Sequence, residues 1–224
     1  MKLGIATLLL ALGALAGCNK TNASILIEET CAPPKPDTTS GGCVWDSGTC
    51  SATPLDTYWI DLSYGLKFFL GVQVDNQLTN NADATLGQVN THDAFVDTYS
   101  VTYATAGAPA GTSVPAITAP PQIQNTVPAA GSAVIGINPI DGDALAALMT
   151  AAQAAGGASF RVIATVKLHG YLGDGSSFQS EERKYPIDVC WGCVAVPVCT
   201  GTKVLHSCPD PIQWPSNSSC DSST

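Results

Sequence analysis

The sequence predicts an all-β fold, an immunoglobulin-like two-sheet sandwich with one inserted helix and disulfide-stapled N- and C-terminal segments. About seven segments alternate apolar and polar residues with turn sequences between them, which is typical of half-buried sandwich strands. Only one segment has helical spacing, and the cysteines cluster near the two ends of the domain. The 224 residues are enough for one domain with a substantial apolar core.

The first half contains three alternating segments. Residues 58–64 and 66–75 have apolar side chains at every second position, so we predict two strands. The first of them is expected to place Trp59, Asp61 and Ser63 on its polar face. Residues 79–93 are mostly polar and predict a long connection. A third strand is predicted at residues 95–103, and its apolar face would hold Phe95, Tyr99, Val101 and Tyr103.

The second half predicts an edge region, a helix and a hairpin. Residues 106–128 are rich in Pro, Gly, Ala and Thr and predict only short edge strands. Residues 132–138 predict a short strand. Residues 160–168 alternate clearly, and the turn at 173–176 leads into a partner run at 178–189, so these two segments predict a hairpin.

One helix is predicted between these strands. Apolar residues recur at helical spacing, Asp141 or Asp143 is placed to cap the N-terminus, and Gly156-Gly157 supplies a stop. We expect its apolar stripe to cover an open end of the sheet pair. The residues that form this stripe are Leu145, Leu148, Met149 and Ala152. A βαβ fold is not favoured, because the strands alternate instead of showing continuous apolar runs.

Residues 1–17 have the layout of a secretory signal, with Lys2 before an apolar run that ends at Gly17. That run is shorter than the ~20 apolar residues of a spanning helix. The sequence Leu15-Ala16-Gly17-Cys18 resembles the lipobox of bacterial lipoproteins. The resemblance implies cleavage before Cys18, acylation of its thiol, and attachment to a lipid membrane through it. The alternative is an ordinary secreted protein in which this cysteine is coincidental.

The expected location is the cell envelope. A lipoprotein cysteine that resembles the known class carries two or three acyl chains, enough for stable anchoring. Residue 19 is Asn and not Asp. By resemblance to the sorting rule of enteric bacteria, this favours the outer membrane, with the domain periplasmic or exposed at the surface.

Charge excludes one class of partner. Cleavage would remove one of the 9 Lys and Arg side chains and none of the 18 Asp and Glu side chains, so the mature domain is strongly acidic. Nucleic-acid binding needs a basic patch, and the sequence has none. An acidic domain is also repelled by anionic lipid head groups. We therefore expect it to stand off the membrane that its lipid enters, and an envelope protein is a candidate partner.

Cysteine parity predicts disulfides. With Cys18 lipidated, an even number remains, three near the front and five at the back: Cys31, Cys43, Cys50, Cys190, Cys193, Cys199, Cys208 and Cys220. If all pair, odd numbers at both ends require at least one front-to-back bridge, although the connectivity stays open. Such a bridge would be worth about 4 to 5 kcal/mol from chain entropy.

The expected organisation has four parts. A lipoprotein signal peptide spans 1–17, and a lipidated tether with a cysteine-containing segment spans 18–56. The β-sandwich spans 57–190 and a cysteine-rich tail spans 191–224. Prolines and glycines in the second part disfavour regular structure, so its order is expected to come from the cysteines.

A second motif lies at the end of the last predicted strand, where Tyr185 to Cys193 read YPIDVCWGC. Together with the lipobox and the hairpin, it resembles a set of uncharacterised cysteine-rich lipoproteins of myxobacteria and their relatives. The resemblance covers the leader and most of the second half. It implies a secreted β-sandwich and no assigned activity.

Two other interpretations of this motif are disfavoured, a redox pair and a zinc site. A redox pair would need Cys190-Trp191-Gly192-Cys193 at a helix N-terminus, and the residues that follow do not begin a helix. A zinc site would lack the usual paired spacing, and an oxidising envelope would consume the thiols. Its ligands would come from Cys190, Cys193, Cys199, His206 and Cys208. Structural disulfides are favoured.

No catalytic site, cofactor or metal is predicted. The chain has no Gly-x-Ser-x-Gly, His-Glu-x-x-His or phosphate-loop motif. His92 is expected in a polar loop, His169 on an outward strand face and His206 in the tail. The acidic pairs Asp141/Asp143 and Glu181/Glu182 are interpreted as a helix cap and a solvated strand edge.

Two function classes follow. The first is a non-catalytic envelope lipoprotein that serves as a structural or interaction module. The second is a solute-binding or enzymatic lipoprotein whose site one sequence does not reveal, and a concave pocket with convergent polar groups would favour it. Trp59, Trp191 and Trp214 are candidate contact residues, although Trp59 is equally well explained as packing under the N-terminal cysteines.

Overall fold

A computed structural model describes residues 24–31, 50–51, 58–64, 68–117, 123–193, 203–206 and 219–222, the last two ranges as backbone only. In chain order its strands are β1 (Ile25–Cys31), β2 (Cys50–Ser51), β3 (Tyr58–Asp61), β4 (Phe68–Asn76), β5 (Ala94–Ala106), β6 (Asn125–Val127), β7 (Gly131–Ile140), β8 (Phe160–Leu172), β9 (Ser177–Gln179), β10 (Arg183–Cys190), β11 (Lys203–His206) and β12 (Ser219–Ser222). A 3₁₀ turn (Leu62–Tyr64) follows β3, and helix α1 (Gly142–Ala154) follows β7.

The strands form two sheets that pack on one another. One sheet has the order β2-β1-β4-β7, and the other has the order β3-β10-β8-β5-β6, with β9 paired to β8. Fully buried side chains from both sheets make one core, among them Leu70 and Ile135 from the first sheet and Val101 and Val166 from the second. The all-β two-sheet prediction is confirmed, and the immunoglobulin-like arrangement stays a prediction. Strands β11 and β12 pair separately.

Tyr99 joins the two sheets through the core. Its hydroxyl donates to the Asn138 carbonyl at 3.0 Å and accepts from the Asn138 N–H at 3.1 Å. Strand β5 carries the tyrosine and β7 carries the asparagine, so one buried side chain satisfies two backbone groups of the facing sheet. Burial also raises the pKa of Tyr99, which keeps the hydroxyl protonated and able to donate.

Strand β1 was not expected from the sequence. It lies inside the segment whose order was expected to come from cysteines, and it pairs with β4 along most of its length. Ile25 and Ile27 are buried in the core. Their alternation is too short to stand out beside the prolines that follow. Pairing with β4 places these two apolar side chains on the core face of the sheet.

The segment 58–64 is not one strand, contrary to expectation. Strand β3 ends at Asp61, which pairs with Cys190 of the parallel strand β10, and the chain then turns into the 3₁₀ segment. Asp61 was expected on the polar face, but it is completely buried. The reason is local, because its carboxylate accepts the Ser63 N–H at 3.0 Å and thereby forms the turn that ends the strand.

A β-bulge corrects the predicted faces of β5. Pairing with β8 shifts register between Val96 and Thr98, so one extra residue lies in β5. Val96 is therefore buried together with Tyr99, whereas Phe95 lies on the outer face. The prediction that Phe95 and Tyr99 share a face was wrong, because the inserted residue reverses the alternation of faces between them.

Helix α1 confirms the predicted helix. Asp141 is the N-cap and its side chain accepts the Gly142 N–H at 2.7 Å, while Gly156 and Gly157 take positive φ values of 62° and 93° just after the last turn. The helix packs against β10 and the 3₁₀ turn and so covers one end of the sandwich. In the described part of the chain no helix combines the length and apolar character needed to cross a bilayer.

The predicted hairpin is also present. Phe160, Val162, Ala164, Val166 and Leu168 all face the core, as the alternation predicts. The partner run is interrupted at 180–182, which divides it into β9 and β10. The outer face of β8 carries the remaining side chains, and one of them, Tyr171, belongs to the candidate site described below.

Candidate functional site

Several predicted site residues lie outside the described residues. These are the lipidation site Cys18 and the disulfide candidates Cys43, Cys199 and Cys208. Cys220 lies in β12 and His206 in β11, where only the backbone is described. The domain boundaries 18–56, 57–190 and 191–224 stay predictions.

Four of the eight cysteines predicted to form disulfides are paired in the described residues. Cys31 is bonded to Cys50 and ties β1 to β2, and Cys190 is bonded to Cys193 at the end of β10. Both bridges are local, one at the front and one at the back. The front-to-back bridge stays a prediction, because Cys43 lies outside the described residues.

Asp61 lies directly beside the second disulfide. Its carboxylate and the two sulfur atoms of Cys190 and Cys193 lie within 4.8 Å of one another. The same carboxylate oxygen that binds Ser63 also accepts the Gly192 N–H at 2.8 Å. It thus holds the Cys-x-x-Cys turn against the end of β3. Sequence reasoning missed this contact because Asp61 and Gly192 are far apart in the chain.

Burial of Cys190 disfavours redox chemistry at this disulfide. Thiol–disulfide exchange proceeds through a thiolate, which is favoured near positive charge. A thiolate on Cys190 would be buried away from solvent, with no described basic side chain among the groups clustered at its sulfur, and burial in a low dielectric disfavours a charged sulfur. This arrangement favours a structural disulfide, in line with the interpretation preferred from the sequence.

The remaining polar candidates are accounted for by local structure. The Nδ1 of His92 lies 2.6 Å from the Thr79 carbonyl oxygen within the polar connection, as expected for a loop histidine. Asp141 caps α1. Glu182 is exposed and pairs with Lys167 at 3.2 Å across the outer sheet face. None of these residues converges on a common point.

His169 lies on the outer face of β8, as predicted, but it is not simply solvated. Its Nε2 is 2.8 Å from the Ser100 hydroxyl oxygen on the neighbouring strand β5. Burial lowers the pKa of His169 and Lys167 lowers it further, whereas Asp97 raises it. The imidazole is therefore held neutral at pH 7, which lets it accept from or donate to the serine.

We expect the titration of His169 to show this balance. Its NMR midpoint should lie below that of a histidine in an unfolded chain. Lys167→Met should raise the midpoint, because a nearby positive charge is removed, and Asp97→Asn should lower it. Because the pKa is depressed in the folded state, His169 should also destabilise the fold as the pH falls below about 6.5, the ordinary value. Midpoints unmoved by both variants would contradict this assignment.

A groove lies beside this pair on the same outer face. It has a volume of about 350 Å³ and is lined by Phe95, Val96, Asp97, Gln124, Asn125, Thr126 and Tyr171. The bulge in β5 creates it by turning Phe95 and Asp97 outward next to the short strand β6. The edge strand predicted within residues 106–128 is thus β6, and it supplies one wall.

Two stacked aromatic rings line one side of the groove. Phe95 and Tyr171 are directly opposite in the β5–β8 ladder, and their rings stack with centroids 5.2 Å apart and planes 16° from parallel. Tyr171 is 46% exposed. The sequence did not reveal this pair, because the alternation placed Phe95 in the core. We call the groove formed by all seven lining residues the aromatic groove.

Comparison with protein-family models, curated proteins and solved structures found no match. A functional assignment therefore depends on the geometry and chemistry of this chain.

Proposed function

We propose that the chain is a lipid-anchored protein of the bacterial cell envelope and that its β-sandwich is a non-catalytic interaction module. The lipobox at Cys18 and the even cysteine number that remains without it support the anchor and the exported location. Asn19 supports the outer membrane. The anchor would hold the acidic sandwich near the membrane surface, with its outer sheet faces open to other envelope components.

The observation that carries the interaction role is the aromatic groove. Exposed apolar surface that is bordered by polar groups can mark an interaction site. Here an exposed aromatic ring lies within a concavity that also contains a carboxylate and two amides. Aromatic rings with adjacent polar groups are the usual composition of binding sites.

The surroundings of the Ser100–His169 pair support a non-catalytic assignment, although the pair itself resembles a catalytic one. Ser100 and His169 have the spacing of a nucleophile and its base. Acyl transfer also needs preorganised N–H donors for the oxyanion. In a sheet the backbone N–H groups lie in the plane of the strands, whereas these two side chains project from its face. The paired strands β5 and β8 therefore offer no backbone donor to an oxyanion above Ser100.

The anchor is tested by Cys18→Ser. We expect the wild-type chain to incorporate labelled palmitate and to sediment with the membrane fraction, and the variant to lose the label and become soluble. The thiol is the acylation site in the proposal, so removing it should abolish both signals. A variant that keeps its acyl label and stays membrane-bound would refute lipidation at Cys18.

The interaction role is tested by photo-crosslinking in intact cells. A benzoyl-phenylalanine residue at position 171 should give a discrete crosslinked product. The same residue at position 59 is the matched control, because Trp59 is 47% exposed and belongs to β3 at the opposite edge of the same sheet. Equal products at both positions, or none at 171, would argue against a specific surface at the aromatic groove.

A further inference from the structure

We propose that the aromatic groove binds a neutral saccharide, a single sugar ring or two linked rings of an envelope glycan. The inference rests on the proposed interaction role and names the chemical class of the ligand. It follows from three features of the groove: the arrangement of its rings, the hydrogen-bonding groups beside them, and its charge.

The rings form a platform. Phe95 and Tyr171 are nearly parallel and stack on each other, so each ring covers one face of its neighbour. This leaves an open ring face at the exposed Tyr171. A flat apolar face is complementary to the C–H side of a pyranose ring. A cation would instead favour several rings set at steep angles around it, as in an aromatic cage.

The hydrogen-bonding groups match the hydroxyls of a sugar. Gln124 and Asn125 each offer both donors and acceptors, and Thr126 offers a hydroxyl. Within the described residues the structure records no side-chain hydrogen bond from these three to another residue. Asp97 adds a carboxylate, whose one recorded partner is the Thr98 hydroxyl at 3.1 Å. A polyol would satisfy groups that both donate and accept.

The charge of the groove disfavours anionic ligands. Among the described residues that line it, Asp97 and Tyr171 are the ionisable ones, and none is Lys or Arg. Phosphates, uronates and other anions would meet a carboxylate on an already acidic domain, whose net charge for the whole chain is −9. The volume of about 350 Å³ lies at the small end of the range for small-molecule sites.

The test uses the full lipidated chain in a detergent that contains no sugar head group. Chitotetraose, maltotetraose and cellotetraose are titrated by calorimetry and by saturation-transfer NMR, with tetramethylammonium as the cationic probe. We expect one of the oligosaccharides to bind with a Kd below about 1 mM. Tyr171→Ala should weaken it by about tenfold or more, because the stacking face is lost.

Two further variants make the result specific. Trp59→Ala removes an equally exposed ring outside the groove and should change the Kd by less than about twofold. Gln124→Ala alters only an exposed hydrogen-bonding side chain, so it keeps the test valid if Tyr171→Ala folds poorly. It should weaken binding by about threefold to tenfold, the loss of one hydrogen bond to the ligand.

Three outcomes would overturn the inference. They are the absence of any oligosaccharide binding with a Kd below about 1 mM, binding that Tyr171→Ala and Gln124→Ala leave intact, and binding of tetramethylammonium in place of sugar. The interaction role is judged separately. A protein product crosslinked at position 171 without saccharide binding would refute the sugar alone, whereas the lack of both would refute the interaction role too.

Discussion

Asp61→Ala should lower the free energy of unfolding by about 3 kcal/mol. The Asp61 carboxylate is fully buried and accepts backbone N–H bonds from Ser63 and Gly192. The variant leaves both donors without this acceptor and removes a hydrogen bond between the end of β3 and the turn that follows β10. Urea denaturation with an unchanged m-value is the appropriate measurement.

Two controls separate this effect from a general loss of charge. Asp61→Asn keeps one acceptor oxygen and should lose about half as much stability. Asp188→Ala removes a carboxylate that binds the Arg161 guanidinium at 2.8 and 3.0 Å on the outer face of the same sheet. Because its partner is exposed, the loss should stay below about 1 kcal/mol. Equal losses of unfolding free energy for Asp61→Ala and Asp188→Ala would show that the buried contacts stabilise the fold no more than the exposed ion pair does.

Gly170→Ala should also destabilise the fold strongly, by about 2 to 3 kcal/mol. A Cβ at this position would collide with the Phe95 backbone carbonyl and would come within 2.9 Å of the Phe178 ring. The ring could move, but the carbonyl belongs to the β5–β8 ladder at the bulge. Strand β5 would have to shift, and with it the stacked pair Phe95 and Tyr171. Stability and saccharide binding should therefore fall together.

Gly136→Ala is the matched control. Gly136 also lies inside a paired strand, β7, but nothing comes within 4 Å of a Cβ built there. Its replacement should be neutral or should stabilise the fold by up to about 1 kcal/mol, since glycine loses more conformational freedom on folding. A Gly170→Ala variant as stable as Gly136→Ala would contradict the close approach at the bulge.

Much of the fold could be predicted because burial on a strand leaves a periodic trace. The alternation from Phe160 to Leu168 and from Phe68 to Val74 predicted the core faces of β8 and β4 correctly. The helix could also be predicted, since Asp141 and the pair Gly156-Gly157 mark its ends. In each case the signal is local and regular, so a few neighbouring residues suffice to recognise it.

The candidate site escaped prediction for the opposite reason. The bulge in β5 adds one residue and reverses the outward direction of Phe95 relative to Tyr99, and nothing in the local sequence marks it. Asp61 looks like a surface residue of an alternating strand until Gly192 is brought beside it. Both features depend on pairing with a distant strand.

By itself the sequence determined the all-β class, the single capped helix and the oxidisable cysteines, because periodicity and capping act within a few residues of chain. The tertiary structure alone decided the register between β5 and β8, and with it which aromatic rings meet at the surface. The physical reason is that register is a property of two strands together. A shift of one residue changes the face of every side chain that follows.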